Sequence, residues 1–452
     1  MRDIIEAALK GHNADYIEIR MEENAATRIS YRGRDLEELG RAVNKGGNAR
    51  ALVKGGWGFV SFNDLSDLRE HVALAVSQAR LAGGGESALA PAEAVVDIVD
   101  PYIKKDPRGV VLADKKRLLD EYTEVIWSRP NIQTSIINYG DVYKKVVFAS
   151  TVGSYIEQSK VDVTLRVSAV ARKEGDVQQA GFSLGQLGDY GYIEGLHQQV
   201  ADTAQRAMDT LSAPAVKGGE YTVVLDPILA GVFCHEAFGH LSESDFVYEN
   251  PQMRELMVLG RRFGQPLLNI VDGAAIPGLR GSFRYDDEGT RSQRSDLIRE
   301  GILVGRLHSR ETAGKMGEKP TGNARAIDYR FPPIVRMTNT MIEPRDTSFQ
   351  DMIADIKEGV YVKNWFGGQT SMEMFTFSAG ETYMIRNGRV AEMLRPVVLS
   401  GNVFTTLMNV DAVGNDVEMN QGGGCGKGGQ SPLPVATGSP HIRIQQCLVG
   451  GR

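Results

Sequence analysis

The chain has 452 residues, 42% of them hydrophobic, with 51 basic and 57 acidic side chains and a formal net charge of −6. The two signs of charge are spread along it, which argues against a nucleic-acid partner, and no apolar stretch is long enough to span a bilayer. The length allows about three domains or two large ones.

The start, "MRDIIEAALKG", places Asp3 and Glu6 where a signal peptide would be apolar, so it reads as a short amphipathic helix. Only three cysteines are present, Cys234, Cys425 and Cys447. They are too few and scattered for a disulfide framework, which suits a reducing cytoplasm.

"IEIRME" alternates Ile17, Ile19 and Met21 with Glu18, Arg20 and Glu22, the period-two pattern of a half-buried strand. "ARALVKGGWGFVSF" predicts two strands joined by a Gly55-Gly56 turn. Leu68, Val72, Val76 and Ala79 predict a helix from about 67, broken by Gly83 to Gly85. Residues 83–110 read as a surface connection. A helix near 112–127, alternating segments such as "KKVVFAS" and "VDVTLRVSAVAR", and a helix over 196–211 complete the first half.

"SAPAVKGG" (212–219) is taken as the main boundary, giving an N-terminal α+β domain, 1–215, and a C-terminal β-rich domain, 216–452. In the second, Tyr221 to Leu225 is a strand that feeds a helix capped by Asp226, with Pro227 at its first position. Asn387-Gly388 predicts a tight hairpin and "LIREGILVGRL" a weaker one. Phe349, Met352, Ile353 and Ile356 predict a helix over 348–358 ending at Gly359. The fold class is α+β.

The helix after Pro227 runs into "CHEAFGH". In H-E-x-x-H the histidines are four apart on one face, whereas His235 and His240 are five apart and on a regular helix diverge by about 140°. Two departures would reunite them: a π-bulge with its i to i+5 bond, or a helix ending at Gly239, where glycine lets His240 turn back. The remaining histidines, His12, His71, His197, His308 and His441, have no partner pattern and are read as structural or surface residues. Cys234 and Cys447 read as core residues.

Cys425 sits in "QGGGCGKGGQS", in a Gly-rich loop free to approach a site, with Lys427 placed to favour its thiolate; a flexible surface loop is the alternative. This is no phosphate-binding loop, because G-x-x-x-x-G-K-[ST] would need glycine at Gln421 and a hydroxyl at Gly428.

"HEAFGHLSESDF" with the distant "CGKGGQ" resembles the TldD/PmbA family of modulator-of-gyrase-type metallopeptidases, in its TldD-like branch. "DDEGT" (286–290), "TGNARA" (321–326), "RMTNT" (336–340), "FTFSA" and "ETYMIRNGRV" follow in the order that family shows. The resemblance implies that His235, His240 and Cys425 bind Zn2+ and that Glu236 is the general base activating a zinc-bound water. It further implies peptide or unfolded-polypeptide substrates and a site enclosed in a homodimer or a heterodimer with a PmbA/TldE-like subunit. Glu243 matches the pattern as well, either as a partner for His240 or as a solvated carboxylate. "FGGQTSMEMFTFSA" is the candidate substrate-pairing strand, an ordinary core strand being the alternative. A noncatalytic peptide-binding subunit with a structural metal is the rival reading.

Overall fold

The period-two run at 17–22 opens a long strand in the computed structural model, which describes residues 1–64, 66–371 and 373–451. The first half runs α1 (Arg2–Leu9), β1 (Tyr16–Arg32), β2 (Asp35–Val53), β3 (Gly56–Phe62), α2 (Leu68–Leu81), β4 (Val96–Val99), α3 (Leu112–Trp127), β5 (Ile132–Ser150), β6 (Tyr155–Lys173), β7 (Asp176–Leu187) and α4 (His197–Ser212). The strands form one sheet in the order β3-β2-β1-β5-β6-β4, with β7 also on β6. The tight turn falls at Lys54-Gly55, both at positive φ, one residue earlier than expected, and Gly56 already belongs to β3. The connection over 83–110 is not wholly irregular: its "VDIV" run pairs in parallel with the start of β6 as β4.

One face of this sheet is apolar and covered by helices. Ile17, Ile19 and Met21 pack with α1 and α2, and Ile29, Tyr31, Tyr139 and Leu165 pack with α3 and α4. The opposite face carries Glu18, Arg20 and Glu22, which are only 2%, 2% and 4% exposed. The alternation is as read, but the strand is buried on both sides, because the polar face lies against the C-terminal region and is neutralised there. Arg50 from β2 bonds Glu18 at 2.7 Å and Glu288 at 2.6 Å. Arg20 meets Glu22 at 2.8 Å and Asp287 at 3.1 Å, and Lys144 reaches Glu22 at 2.9 Å.

The C-terminal region opens with β8 (Gly219–Leu225) and α5 (Pro227–Cys234). The strand Glu358–Ser371 pairs with both β8 and Met374–Arg386, so with Ile442–Gly451 and Val397–Asn402 five strands close a ring. Phe233 of α5 meets Phe375 and Phe377 edge-on, ring centroids 5.5 and 6.2 Å apart. A second sheet is built from Ile270–Gly273, Arg294–Arg299, Ile302–Leu303, Asn339–Ile342, Glu418–Asn420 and Ala436–Ser439. Both hairpins fall where expected, at Asn387-Gly388 and Glu300-Gly301, each with two positive φ angles. The helix expected over 348–358 is shorter, Phe349–Ile353. Residues 359–362 instead pair in parallel with 222–225, which takes Gly359 into the strand. No helix of the described residues is long and apolar enough to cross a membrane.

The charged interface generates a stability prediction. Arg50→Met leaves Glu18 and Glu288 buried without their cation, a loss of about 3–5 kcal/mol. Urea unfolding followed by tryptophan fluorescence reads it; a change below about 1 kcal/mol would show that these ions contribute little net stability.

Candidate metal centre

Helix α5 begins as the sequence directs: the Asp226 carboxylate accepts the Leu229 N–H at 2.8 Å, and Pro227 occupies the first position. The same carboxylate oxygen accepts the Asn364 N–H at 3.1 Å, fastening the helix start to the ring. At its far end the helix widens. Residues His235–Gly239 form a π-turn in which the His240 N–H donates to the His235 carbonyl, five residues back. A π-turn advances by more residues per revolution than an α-helix, so positions five apart come to one side.

Of the two departures open to the sequence, the structure therefore takes the bulge rather than the early stop. The imidazole rings lie 5.2 Å apart, centre to centre, nearly perpendicular. Gly239 serves a different purpose from the one expected. Its φ is an ordinary helical −57°, but a Cβ there would lie 2.0 Å from Met337 Sδ. What the position requires is close packing on "RMTNT", not backbone freedom.

Cys425 arrives from a strand, Gly424–Lys427, paired with Gln430–Pro434. It is 4% exposed, which corrects the picture of a free loop. Arg336, wholly buried, donates to the Cys425 carbonyl at 2.8 Å and the Gln430 carbonyl at 3.1 Å, and Arg325 holds the Pro434 carbonyl at 2.6 Å. The thiol sulfur consequently stands 3.4 Å from His240 Nε2. One ligating atom from each of His235, His240 and Cys425 lies within 4.8 Å of the other two.

The electrostatics favour a thiolate at that point. Burial raises the Cys425 thiol, but the His235 and His240 rings outweigh it and bring it down to about 4. Lys427 is not its partner. The ammonium instead contacts Glu243 at 3.0 Å and Asp245 at 2.6 Å. Glu243 is 1% exposed and accepts from His240 Nδ1 at 3.0 Å, so it is the buried partner of that ring and not a solvated carboxylate. Burial opposes its charge, yet His240 and Lys427 hold it down at about 2. Glu243 and the thiolate raise the His240 ring well above its ordinary value against the pull of burial; a metal held there would bind the neutral ring in place of that proton.

The donor set fits a divalent ion on its own terms. Two imidazole nitrogens and a thiolate suit a borderline-soft metal, and His235 Nδ1 is buried with no hydrogen-bond partner among the described residues. The 3.4 Å between Sγ and Nε2 is near the roughly 3.6 Å that two tetrahedral ligands of those types subtend. Glu236 is half-buried beside His235, and no hydrogen bond or ion pair engages its carboxylate among the described residues.

The other histidines lie outside the site. His71 stacks on Phe62, His308 bonds Thr312 and Glu318, and His441 bonds Asp416 and Tyr361. Cys234 and Cys447 are core residues, and burial pushes the Cys447 thiol up to about 12.

The remaining motifs build the platform beneath. Asp286 accepts from the Ala324 N–H and Asp287 from the Ala326 N–H. Asp272, buried, accepts from Asn323, Thr338 and Thr340. These support residues carry no periodic signal; only the short motifs mark them. The segment 366–379 divides: Phe375, Phe377 and Ala379 are core residues, whereas 366–371 pairs only with 374–378. The other edge of 366–371 has no ladder partner among the described residues, and Met372 lies outside them.

Comparison with known proteins agrees along the chain. Residues 17–82, 105–208 and 218–451 match the PmbA/TldA metallopeptidase domain 1, central domain and C-terminal domain. A metalloprotease of Synechocystis sp. is 49% identical over 440 residues, which cover 97% of this chain and 95% of that protein. A zinc metalloprotease TldD homolog of Saccharolobus solfataricus is 30% identical over 455 residues, covering 97% of each. The fold is shared with TldE from Thermococcus kodakarensis, at TM-score 0.78 and 16% identity over 100% of both chains. Similarity of this extent, on a chain whose two histidines and cysteine converge on one point, establishes that it belongs to the PmbA/TldD family of metallopeptidases.

Proposed function

We propose that the chain hydrolyses peptide bonds in peptides or unfolded polypeptides, with Zn2+ held by His235, His240 and Cys425 and with Glu236 as general base. The observation that carries this reading is the meeting of two imidazoles and a thiolate, drawn from positions 185 residues apart; Glu236 adjoins His235 in sequence, and its carboxylate has no hydrogen-bond or ion-pair partner among the described residues. Zinc suits a His2Cys set, and the Saccharolobus relative bears the name zinc metalloprotease. When bound, the ion polarises a carbonyl and lowers the pKa of water to about 7.

The chain's own groups do the rest. Glu236 takes the proton of the attacking water at its carboxylate and returns it to the departing amine. Glu243, bonded to His240 Nδ1, turns Nε2 toward the centre. The edge of 366–371 that has no ladder partner among the described residues offers main-chain N–H and C=O groups to an extended peptide, which is why unfolded segments suit it. A structural metal is the weaker reading. A closed site takes four protein ligands, and among the described residues the cluster has three members.

The similarity to TldE supports assembly with a PmbA/TldE-like subunit, a homodimer being the alternative. Three free cysteines support a cytoplasmic location.

Two measurements test the site. Wild type is expected to carry about one zinc per chain by mass spectrometry and Cys425→Ser to lose most of it; full retention by the variant would remove Cys425 from the set. Glu236→Gln is expected to keep its zinc while cleavage of an unfolded peptide falls about 10²–10⁴-fold. Undiminished cleavage by that variant would exclude Glu236 as the base.

A further inference from the structure

The metal ligands come from two elements that share no backbone hydrogen bonds: the π-turn His235–Gly239 with His240 behind it, and the strand Gly424–Lys427. Something other than the ion must hold them in register if the site is to exist before metal arrives. We infer that Lys427 is a positioning residue that locks the cysteine strand to the histidine turn through Glu243, so that the three ligands are preassembled. This rests on the metal-binding reading above.

The ammonium donates to Asp245 Oδ1 at 2.6 Å and to the Val335 carbonyl at 2.9 Å, and it forms an ion pair with Glu243 Oε2 at 3.0 Å. Asp245 Oδ2 in turn accepts the Val335 N–H at 3.3 Å, so Lys427 closes a small cycle linking the segment after the π-turn, the strand Ile334–Val335 and the cysteine strand. Val335 adjoins Arg336, which grips the Cys425 carbonyl. A shift of either element relative to the other breaks several of these bonds at once.

Charge gives Lys427 a second part. Glu243 Oε2 is shared between His240 Nδ1 and Lys427 Nζ, at 3.0 Å each. Among the described residues Lys427 is the lysine that touches this buried carboxylate. Without it Glu243 would be a buried carboxylate with one partner fewer, a costly arrangement that loosens its hold on the His240 ring. Lys427 thereby acts on the metal at one remove, as groups bonded to ligating histidines do.

The test is zinc affinity, measured by competition with a chromophoric chelator on the full chain. Lys427→Met is expected to weaken binding about 10–100-fold, and Lys427→Arg to recover most of the loss. In a Glu243→Gln background, Lys427→Met should add less than about threefold, because the two act as one unit. Wild-type affinity in Lys427→Met, or an equal loss in both backgrounds, overturns the inference. Should Lys427→Met not fold, Glu243→Gln carries the test alone: it too must lose about tenfold, and unchanged affinity overturns the proposal. Failure of wild type to take up zinc defeats the metal reading itself, a result distinct from either.

Discussion

The arrangement depends on one hydrogen bond, from the His240 N–H to the His235 carbonyl. A regular helix would make its bonds four residues apart and send the two imidazoles in different directions. By spanning five, the chain inserts one extra residue and brings both rings to the same side. The cost of a π-turn is poorer backbone geometry, and the surroundings are built to hold it. Asp226 fixes the start of the helix, Met337 fills the space left by Gly239, and the Phe238 side chain is buried against Phe263. The wide turn is thus supported from both ends and from beneath.

Much of this was legible in the chain. Asp226-Pro227 announced the helix start, the five-residue histidine spacing announced a departure from α geometry, and Asn387-Gly388 announced its hairpin, since each is a local preference expressed within a few residues. What sequence alone left open was which departure would occur, because Gly239 permits a stop as readily as close packing. The residue that makes glycine necessary there, Met337, lies nearly a hundred positions away. The cysteine's place was carried by resemblance, since glycines around Cys425 suggest mobility, whereas Arg336, Arg325 and Lys427 fasten that segment as strand.

The N-terminal sheet shows a second limit. Alternation of Glu18, Arg20 and Glu22 with apolar neighbours describes a strand with two unlike faces, and water is the usual occupant of the polar one. Here the occupant is protein. Period two registers that a face is charged but not what neutralises it, and Arg50 with Glu288, or Arg20 with Asp287, are long-range pairings without any periodic trace. The same holds for Lys427, whose carboxylate partners lie far back in the chain.

The order in which the ligands occur along the chain has a consequence for biosynthesis. His240 precedes Cys425 by 185 residues, and Ile442–Gly451, which completes the strand ring beside β8, follows later still. At about 5–20 residues per second, a ribosome makes the histidine turn roughly 10–40 s before Cys425. On the proposed reading, the nascent polypeptide has both histidines but not the cysteine during that interval, so a metal arriving then would meet an incomplete donor set.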